Sequence, residues 1–280
     1  MNNIKIKDLF CPFDGNEKQA LASTTHLAVA AHQDDVEIMA QHGILTCFGQ
    51  KDKNFSAVIL TDGAGSPRSG LYKDYTDEEM KKIRITEQKK AAIIGDYNAL
   101  MLLDFPSKIV KDPKERAVID KLKDIVLEIR PQVIYTHNPA DKHETHVATS
   151  LRVIKALQEI ASVYRPQVFL GCEVWRGLDW LNDGEKTVLD ISDRPALKAA
   201  LLGVYDSQIE GGKRYDLAAL GRYVANATFY ASHDTDELSA ATYAIDLAPL
   251  LDGGDVADYI KAYMDRFSQD VVSGIHRLSR

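Results

Sequence analysis

Leu27-Ala28-Val29-Ala30-Ala31-His32-Gln33-Asp34-Asp35-Val36-Glu37 decides how the rest of the chain is read. Its first five residues are small, apolar and uninterrupted, the pattern of a strand covered on both faces in a parallel sheet. The run stops at one imidazole and two carboxylates. Beyond them Met39, Ala40, Gly43, Ile44 and Cys47 recur at helical spacing, so the polar residues occupy a strand-to-helix turn. In open α/β sheets, ligands bind outside the carboxyl ends of the strands. His32 and Asp35, three apart at a helix start, can face one point as two metal ligands. A plain polar turn with Asp34 or Asp35 as N-cap fits this stretch, taken alone, equally well.

The same punctuation recurs outward. Residues 57–61 are a second apolar run, ending in Thr61-Asp62-Gly63. Residues 63–75 hold three glycines, a proline and two serines and read as a long loop, expected to form a mobile rim over the site. Thr76-x-x-Glu79 has the form of a capping box. The helix it opens carries Met80, Ile83, Glu87, Ala91 and Ile94 on one face, with Gly95 as its cap. Glu87 on that apolar face needs a partner, and Arg84 is the nearest candidate. Residues 99–103 form the next strand. Asp112-Pro113 reads as the start of a helix that buries Val118, Leu122, Ile125 and Ile129. Residues 132–136 are a strand ending at His137, followed by a helix with Val147, Leu151, Ile154 and Leu157 aligned. Strands follow at 167–174 and 187–191, and from Ser192 the pattern is mostly helical. These alternations predict an α/β fold with a Rossmann-like, mostly parallel sheet flanked by helices. One domain is expected over residues 1–280, with its core at about 25–190 and a more helical C-terminal part at about 192–280.

Composition narrows the partners. The 280 residues are 45% apolar and 27% charged, with a net charge of −7, which argues against nucleic acid or an anionic membrane. No apolar run approaches the ~18 residues a membrane span needs, and Met1 to Phe10 lacks the apolar core of a secretory leader. Three cysteines without CxxC spacing fit reduced thiols in a cytoplasmic protein.

The second dense polar group is His137-Asn138-Pro139-Ala140-Asp141-Lys142-His143-Glu144-Thr145-His146. It too lies at a strand end and a helix start, and in a parallel sheet both groups share one edge. A His-x-x-Asp pair plus one more histidine makes a three-ligand site with an open fourth position, as in catalytic zinc. Asp34, beside Asp35 but pointing elsewhere, is left free to act as a base.

Residues 31–37 resemble the Ala-His-Pro-Asp-Asp-x-Glu signature of the PIG-L/LmbE-like family of zinc-dependent sugar N-deacetylases. Asp141-x-His143-x-x-His146 resembles that family's second motif. Thr61-Asp62-Gly63, Arg84-x-x-Glu87, Glu173-Val174-Trp175, Val188-Leu189-Asp190-Ile191 and Ser207-Gln208 are similar to its accessory patterns, in the right order. The resemblance implies His32, Asp35 and His146 as ligands of one Zn2+ per chain, a ligand set that Fe2+ also accepts. It implies Asp34 as general base on a zinc-bound water and His143 as the group stabilising the tetrahedral intermediate. Asp62, Gly63 and Arg84 would then contact substrate. Gln33 stands where proline is usual, which loosens the turn but leaves every ligand in place. Thr145 replaces a frequent aspartate, and Asp141 is the local substitute as partner of His143.

The implied activity is hydrolysis of an N-acetyl group from an N-acetylglucosamine-type sugar or conjugate, a small-molecule substrate; a homo-oligomer stays open. Two other classes compete. A metal- or sugar-binding member without turnover would not need both Asp34 and His143, while a hydrolase of a different amide would use the same residues. A nucleotide-binding fold is disfavoured because no GxGxxG follows the first strand.

Overall fold

The computed structural model describes residues 8–13 and 16–279; the Met1 to Phe10 stretch lies outside them as far as residue 7. Among the described residues, eight strands form one sheet: β1 (Asp8–Phe10), β2 (His26–Ala30), β3 (Phe55–Thr61), β4 (Ala99–Phe105), β5 (Val133–His137), β6 (Val168–Cys172), β7 (Thr187–Asp190) and β8 (Ala241–Asp246). Their order across the sheet is β1-β4-β3-β2-β5-β6-β8-β7. Every pairing from β4 through β3, β2 and β5 to β6 is parallel. The pairings of β1 with β4, β8 with β6 and β7 with β8 are antiparallel.

The central strands lack polar alternation because both of their faces are covered. Leu27, Val29, Val58, Leu60 and Ile134 belong to one core layer, with the helices Ala117–Ile129 and Glu144–Ile160. Ala28, Ala30, Ala57, Ile59 and Tyr135 face the opposite layer, with the helices Gln41–Cys47 and Asp77–Ile94. Small residues on that second face of β2 let the helix carrying Gly43 approach closely.

Strand order fixes where a site can lie. The chain leaves β2 for β3 and β4 on one side, then returns to lay β5 on the other. The β2/β5 pair, in register from His26↔Val133 to Val29↔Thr136, is therefore the point where the order reverses. Crevices open at the carboxyl ends of such a pair. Both polar motifs follow from there.

Local signals held where a side chain forces one geometry. Thr76 and Glu79 close a reciprocal capping box, and Glu79 N–H donates to Thr76 Oγ1 at 3.3 Å. Three expectations differ from the structure. The helix after Asp35 is interrupted at Ala40, giving Asp35–Met39 and Gln41–Cys47. Asp112-Pro113 does not start a helix: Asp112 Oδ1 accepts from Lys114 N–H at 2.9 Å, a side-chain turn that competes with helix, and the helix begins at Ala117. The C-terminal part is mostly helical as expected, but it also holds a strand that the pattern does not show, since β8 inserts between β6 and β7. Thr242, Tyr243 and Ile245 are good strand formers. Both faces of β8 are buried, however, so no period of two marks it. No helix among the described residues is long and apolar enough to cross a membrane.

A methyl group at Gly43 would lie 2.7 Å from the ring of Tyr135 and 2.9 Å from that of Phe55. Both rings are fully buried, so neither can swing aside. Overpacking costs about 1–3 kcal/mol, more than the ~1 kcal/mol a helix gains from glycine to alanine. Gly43→Ala is expected to lower the urea midpoint without changing the slope; an unchanged or higher midpoint would contradict this packing.

Candidate active site

β2 delivers Ala31 and His32 to the edge, where the turn to Asp35–Met39 folds the polar residues over the sheet. His32 N–H donates to Asp35 Oδ2 at 2.7 Å, which pins the carboxylate back toward the strand. From β5, His137 lies fully buried against this turn, and Ala31 N–H donates to its Nε2 at 2.9 Å. That ring nitrogen is occupied, so His137 joins two strand ends rather than offering a lone pair. His146 rises from the first turn of Glu144–Ile160. Its Nε2 is 3.2 Å from Asp35 Oδ1 and 3.2 Å from His32 Nδ1, and His32 Nδ1 is 3.1 Å from Asp35 Oδ2.

Two imidazole nitrogens and a carboxylate thus form a triangle of groups with contacts of 3.1–3.2 Å, one oxygen of Asp35 meeting each histidine. Around a tetrahedral ion with bonds of about 2.0–2.2 Å, such edges come to about 3.3–3.5 Å. The donor set fits a divalent metal. Two overlapping groups of candidate ligands occur here, His32 with His143 and His146, and Asp35 with His137 and His146. The bond from Ala31 removes His137 from the second. Burial alone would raise Asp35, yet the charges of His146 and His137 hold it well below the usual carboxylate range.

Asp34 takes the N-cap position with φ +80° and ψ −31°, but its side chain caps nothing. Its Oδ2 meets the Arg84 guanidinium at 3.0 Å, and its N–H donates to Gln88 Oε1 at 3.2 Å. Burial pushes the Asp34 carboxyl up to about 7, although Arg84 opposes the shift. Arg84 also donates to the Gln33 carbonyl and lies 3.5 Å from Glu87. Glu87 accepts the N–H and hydroxyl of Ser207, each at 2.7 Å, so the carboxylate on the apolar face has its partners. Glu37, fully buried, accepts from Tyr97 Oη at 2.5 Å, Tyr205 Oη at 2.6 Å and Gln88 Nε2 at 2.9 Å.

A cavity of about 420 Å³ opens above this cluster. His32, Asp34, Gly63, Arg84 and His143 line it, and so do Gly65, Ser66 and Pro67 from the long loop. Gly63 has φ +75°, and a methyl group there would lie 2.7 Å from Gln33 Oε1, so both conformation and space require glycine. Asp62 lies elsewhere. It pairs with Lys81 at 3.2 Å and lines a neighbouring cavity behind the Gln33 turn. Gln33 does not loosen that turn, since its Nε2 donates to the Thr61 carbonyl at 3.3 Å. Asp141 accepts the backbone N–H of His143 and of Trp175, both at 3.0 Å, and its carboxylate faces His146 Nδ1 at 3.7 Å. It therefore faces the ring of His146, without a hydrogen bond to it, and serves His143 through the backbone alone. The His143 ring packs 4.6 Å from His146 and 4.9 Å from His32. Burial, with His146 and His32 beside it, pushes His143 down to about 4.

Sequence reasoning missed Ser107, Lys142, Lys213 and Tyr215 in the wall, and Gln88 and Tyr205 beneath it. Ser107 had a usable signal, since it follows the end of a strand on the active edge. Lys213 and Tyr215 follow a glycine pair that carries no periodic cue.

Residues 27–157 match the family model for PIG-L, GlcNAc-PI de-N-acetylase, and this stretch of the chain is a PIG-L domain. Solved structures share the fold. The hydratase GalB of Pseudomonas putida KT2440, described as acting on 4-carboxy-2-hydroxymuconate, is 19% identical, with a TM-score of 0.60 over 80% of this chain and 96% of its own. The N,N'-diacetylchitobiose deacetylase of Pyrococcus horikoshii is 17% identical, with a TM-score of 0.59 over 85% and 88%. A zinc-inhibited form of the teicoplanin deacetylase Orf2 is 16% identical, with a TM-score of 0.58 over 80% and 97%. No curated protein sequence matches the chain.

Among the described residues Arg84 is the sole guanidinium contacting both Asp34 and Glu87, and it is 1% exposed. Removing one partner of a buried charge group costs about 3–5 kcal/mol. Arg84→Met is expected to destabilise the fold by that order in urea denaturation. A loss below about 1 kcal/mol, the usual worth of an exposed pair, would mean that Asp34 and Glu87 do not depend on it.

Proposed function

We propose that the protein is a metal-dependent N-deacetylase that hydrolyses the acetamide of an N-acetylglucosamine-type sugar or conjugate. The observation that carries this reading is the triangle of His32, Asp35 and His146 with Asp34 beside it on the cavity wall, inside the PIG-L domain. His32 Nδ1, Asp35 and His146 Nε2 would hold one divalent ion, with zinc the first choice and iron(II) the second. When bound, the ion supplies Lewis acidity toward the amide oxygen and makes water a strong nucleophile near neutral pH.

The remaining chemistry belongs to the chain. Asp34, with its carboxyl near 7, is matched to accept a proton from the attacking water and return it to the departing amine. Arg84 and Gln88 hold Asp34 at that position. His143, kept neutral by burial and its neighbouring imidazoles, donates an N–H to the oxygen that gains charge. Asp141 places its charge 3.7 Å from the second nitrogen of His146, which favours a proton on that side of the ring. Gly63 leaves room for the sugar beside Arg84, and Trp175 and Tyr215 close the far wall. The odd number of cysteines agrees with a reducing, cytoplasmic setting.

A second reading follows from the likeness to GalB: addition of water to a carbon–carbon double bond of a carboxylate, using the same cluster. The two separate in one experiment. Protein prepared without chelator should contain about one divalent ion per chain, and it should release acetate from N-acetylglucosamine conjugates. Asp34→Asn is expected to retain the metal and lose ~10²–10⁴-fold in rate. His146→Ala is expected to lose the metal first. Full activity in Asp34→Asn would remove Asp34 as the base. Acetate release that is absent for every acetylated amino sugar, with hydration of an unsaturated carboxylate instead, would establish the second reading.

A further inference from the structure

The helix Val256–Leu278 begins on the body and ends off it. Val256, Tyr259, Ile260 and Tyr263 pack on the core, and Tyr259 Oη donates to the Asp246 carbonyl at 2.6 Å. Arg266, donating to Glu185, makes the last side-chain bond to the body among the described residues. Residues 268–278 are exposed apart from the half-buried Gly274.

That uncovered end is not polar. Ile260, Met264, Phe267, Val271, Ile275 and Leu278 follow one another by three or four residues, which at 3.6 per turn keeps them within an arc of about 80°. Ile260 is buried against the body, whereas Met264 is 45%, Val271 43%, Ile275 57% and Leu278 84% exposed. The same stripe that docks the helix therefore runs on for about 18 Å with nothing over it.

We propose that this stripe docks on the same helix of a second copy, antiparallel and around a two-fold axis. In that arrangement the partners of an apolar layer have residue numbers with a constant sum. Setting Val271 opposite the second copy's Ile275 repeats that pair on both sides of the axis. It also brings Phe267 within one residue, about 1.5 Å along the helix, of the level of the second copy's Leu278. The exposed stripe residues beyond the body thus meet apolar neighbours, while Val272 lies to one side of the stripe. The same register sets Asp270 level with the second copy's His276 and one residue from its Arg277, on one flank of the stripe, within reach of that long side chain, so the two-fold makes the pairing twice. A lipid surface fits less well. Interfacial helices carry Lys- and Arg-rich polar faces, whereas this one balances Lys261, Arg266 and Arg277 with Asp258, Asp265 and Asp270 in a chain of net charge −7. Two helix faces this short bury less than the ~1,200 Å² of a standard interface, so association in the region of 10⁻⁵ M is expected.

Sedimentation velocity of the full chain from about 1 to about 200 µM brackets that range. The wild type is expected to move from monomer to dimer. Ile275→Asp, at an exposed position off the body, should stay monomeric with unchanged circular dichroism. Asp270→Arg should weaken the dimer by about tenfold, a scale set by one like-charge contact at each of two symmetric positions, and Asp270→Arg combined with Arg277→Asp should restore it. A wild type that stays monomeric throughout, or an Ile275→Asp variant that dimerises like the wild type, overturns the proposal. Failure of the double swap to restore association overturns the antiparallel register. Flotation of a monomeric wild type with phosphatidylcholine–phosphatidylglycerol vesicles, lost in Ile275→Asp, would assign the stripe to lipid instead.

Discussion

The parting of β2 and β5 at their carboxyl ends is the constraint on which the site depends. Parallel strands bring both of their following turns to one edge, and the reversal of strand order keeps a helix from covering the gap. The bond from Ala31 N–H to His137 Nε2 ties the two ends together just where they separate. It sets the distance between His32 and Asp35 on one turn and His146, which lies at the start of the helix after the other. Residues more than 100 positions apart in the chain thus reach one another with three ångström edges, although none of the site residues packs the core.

Under that gap the fold buries more charge than it can neutralise. Asp34, Asp35, Glu37 and Glu87 are all buried, and Arg84 is the one guanidinium among them. Tyrosine hydroxyls on Glu37 and Ser207 on Glu87 supply the remaining donors. With three of these carboxylates, Asp34, Glu37 and Glu87, each bonded to several donors or to Arg84, the network is held firmly in place. Asp34 sits at its boundary, held from below and open to the cavity above. This is the arrangement expected of a group that must keep its position while its proton comes and goes.

Much of this was legible because the chemistry is local. His32-x-x-Asp35 and His143-x-x-His146 each bridge the turn from a strand end into the first residues of a helix, so short spacing keeps their side chains together, and strand ends place the turns. The capping box at Thr76 was legible for the same reason. What stayed hidden depends on contacts between distant segments. Asp62 is adjacent to Gly63 in sequence, but β3 and its loop turn it to the other side of Gln33, where Lys81 neutralises it. Asp141 could be named as a partner, but the ring it faces is decided by how the helix Glu144–Ile160 docks. β8 left no pattern because a strand covered on both faces shows neither period, and six residues are too few to separate strand from helix by length.

The backbone of Asp34 adds a last consequence. A residue with a side chain held at φ +80° and ψ −31° carries about 1–3 kcal/mol of strain, and its carboxylate is buried as well. Glycine there would relieve both. The position is therefore one where thermal robustness and chemistry pull in opposite directions. Selection for a hardier chain alone would drift first toward losing this carboxylate, yielding a sturdier protein of the same shape without the base proposed above. Its retention means that the fold's stability is set elsewhere, in the two apolar layers on either side of the sheet.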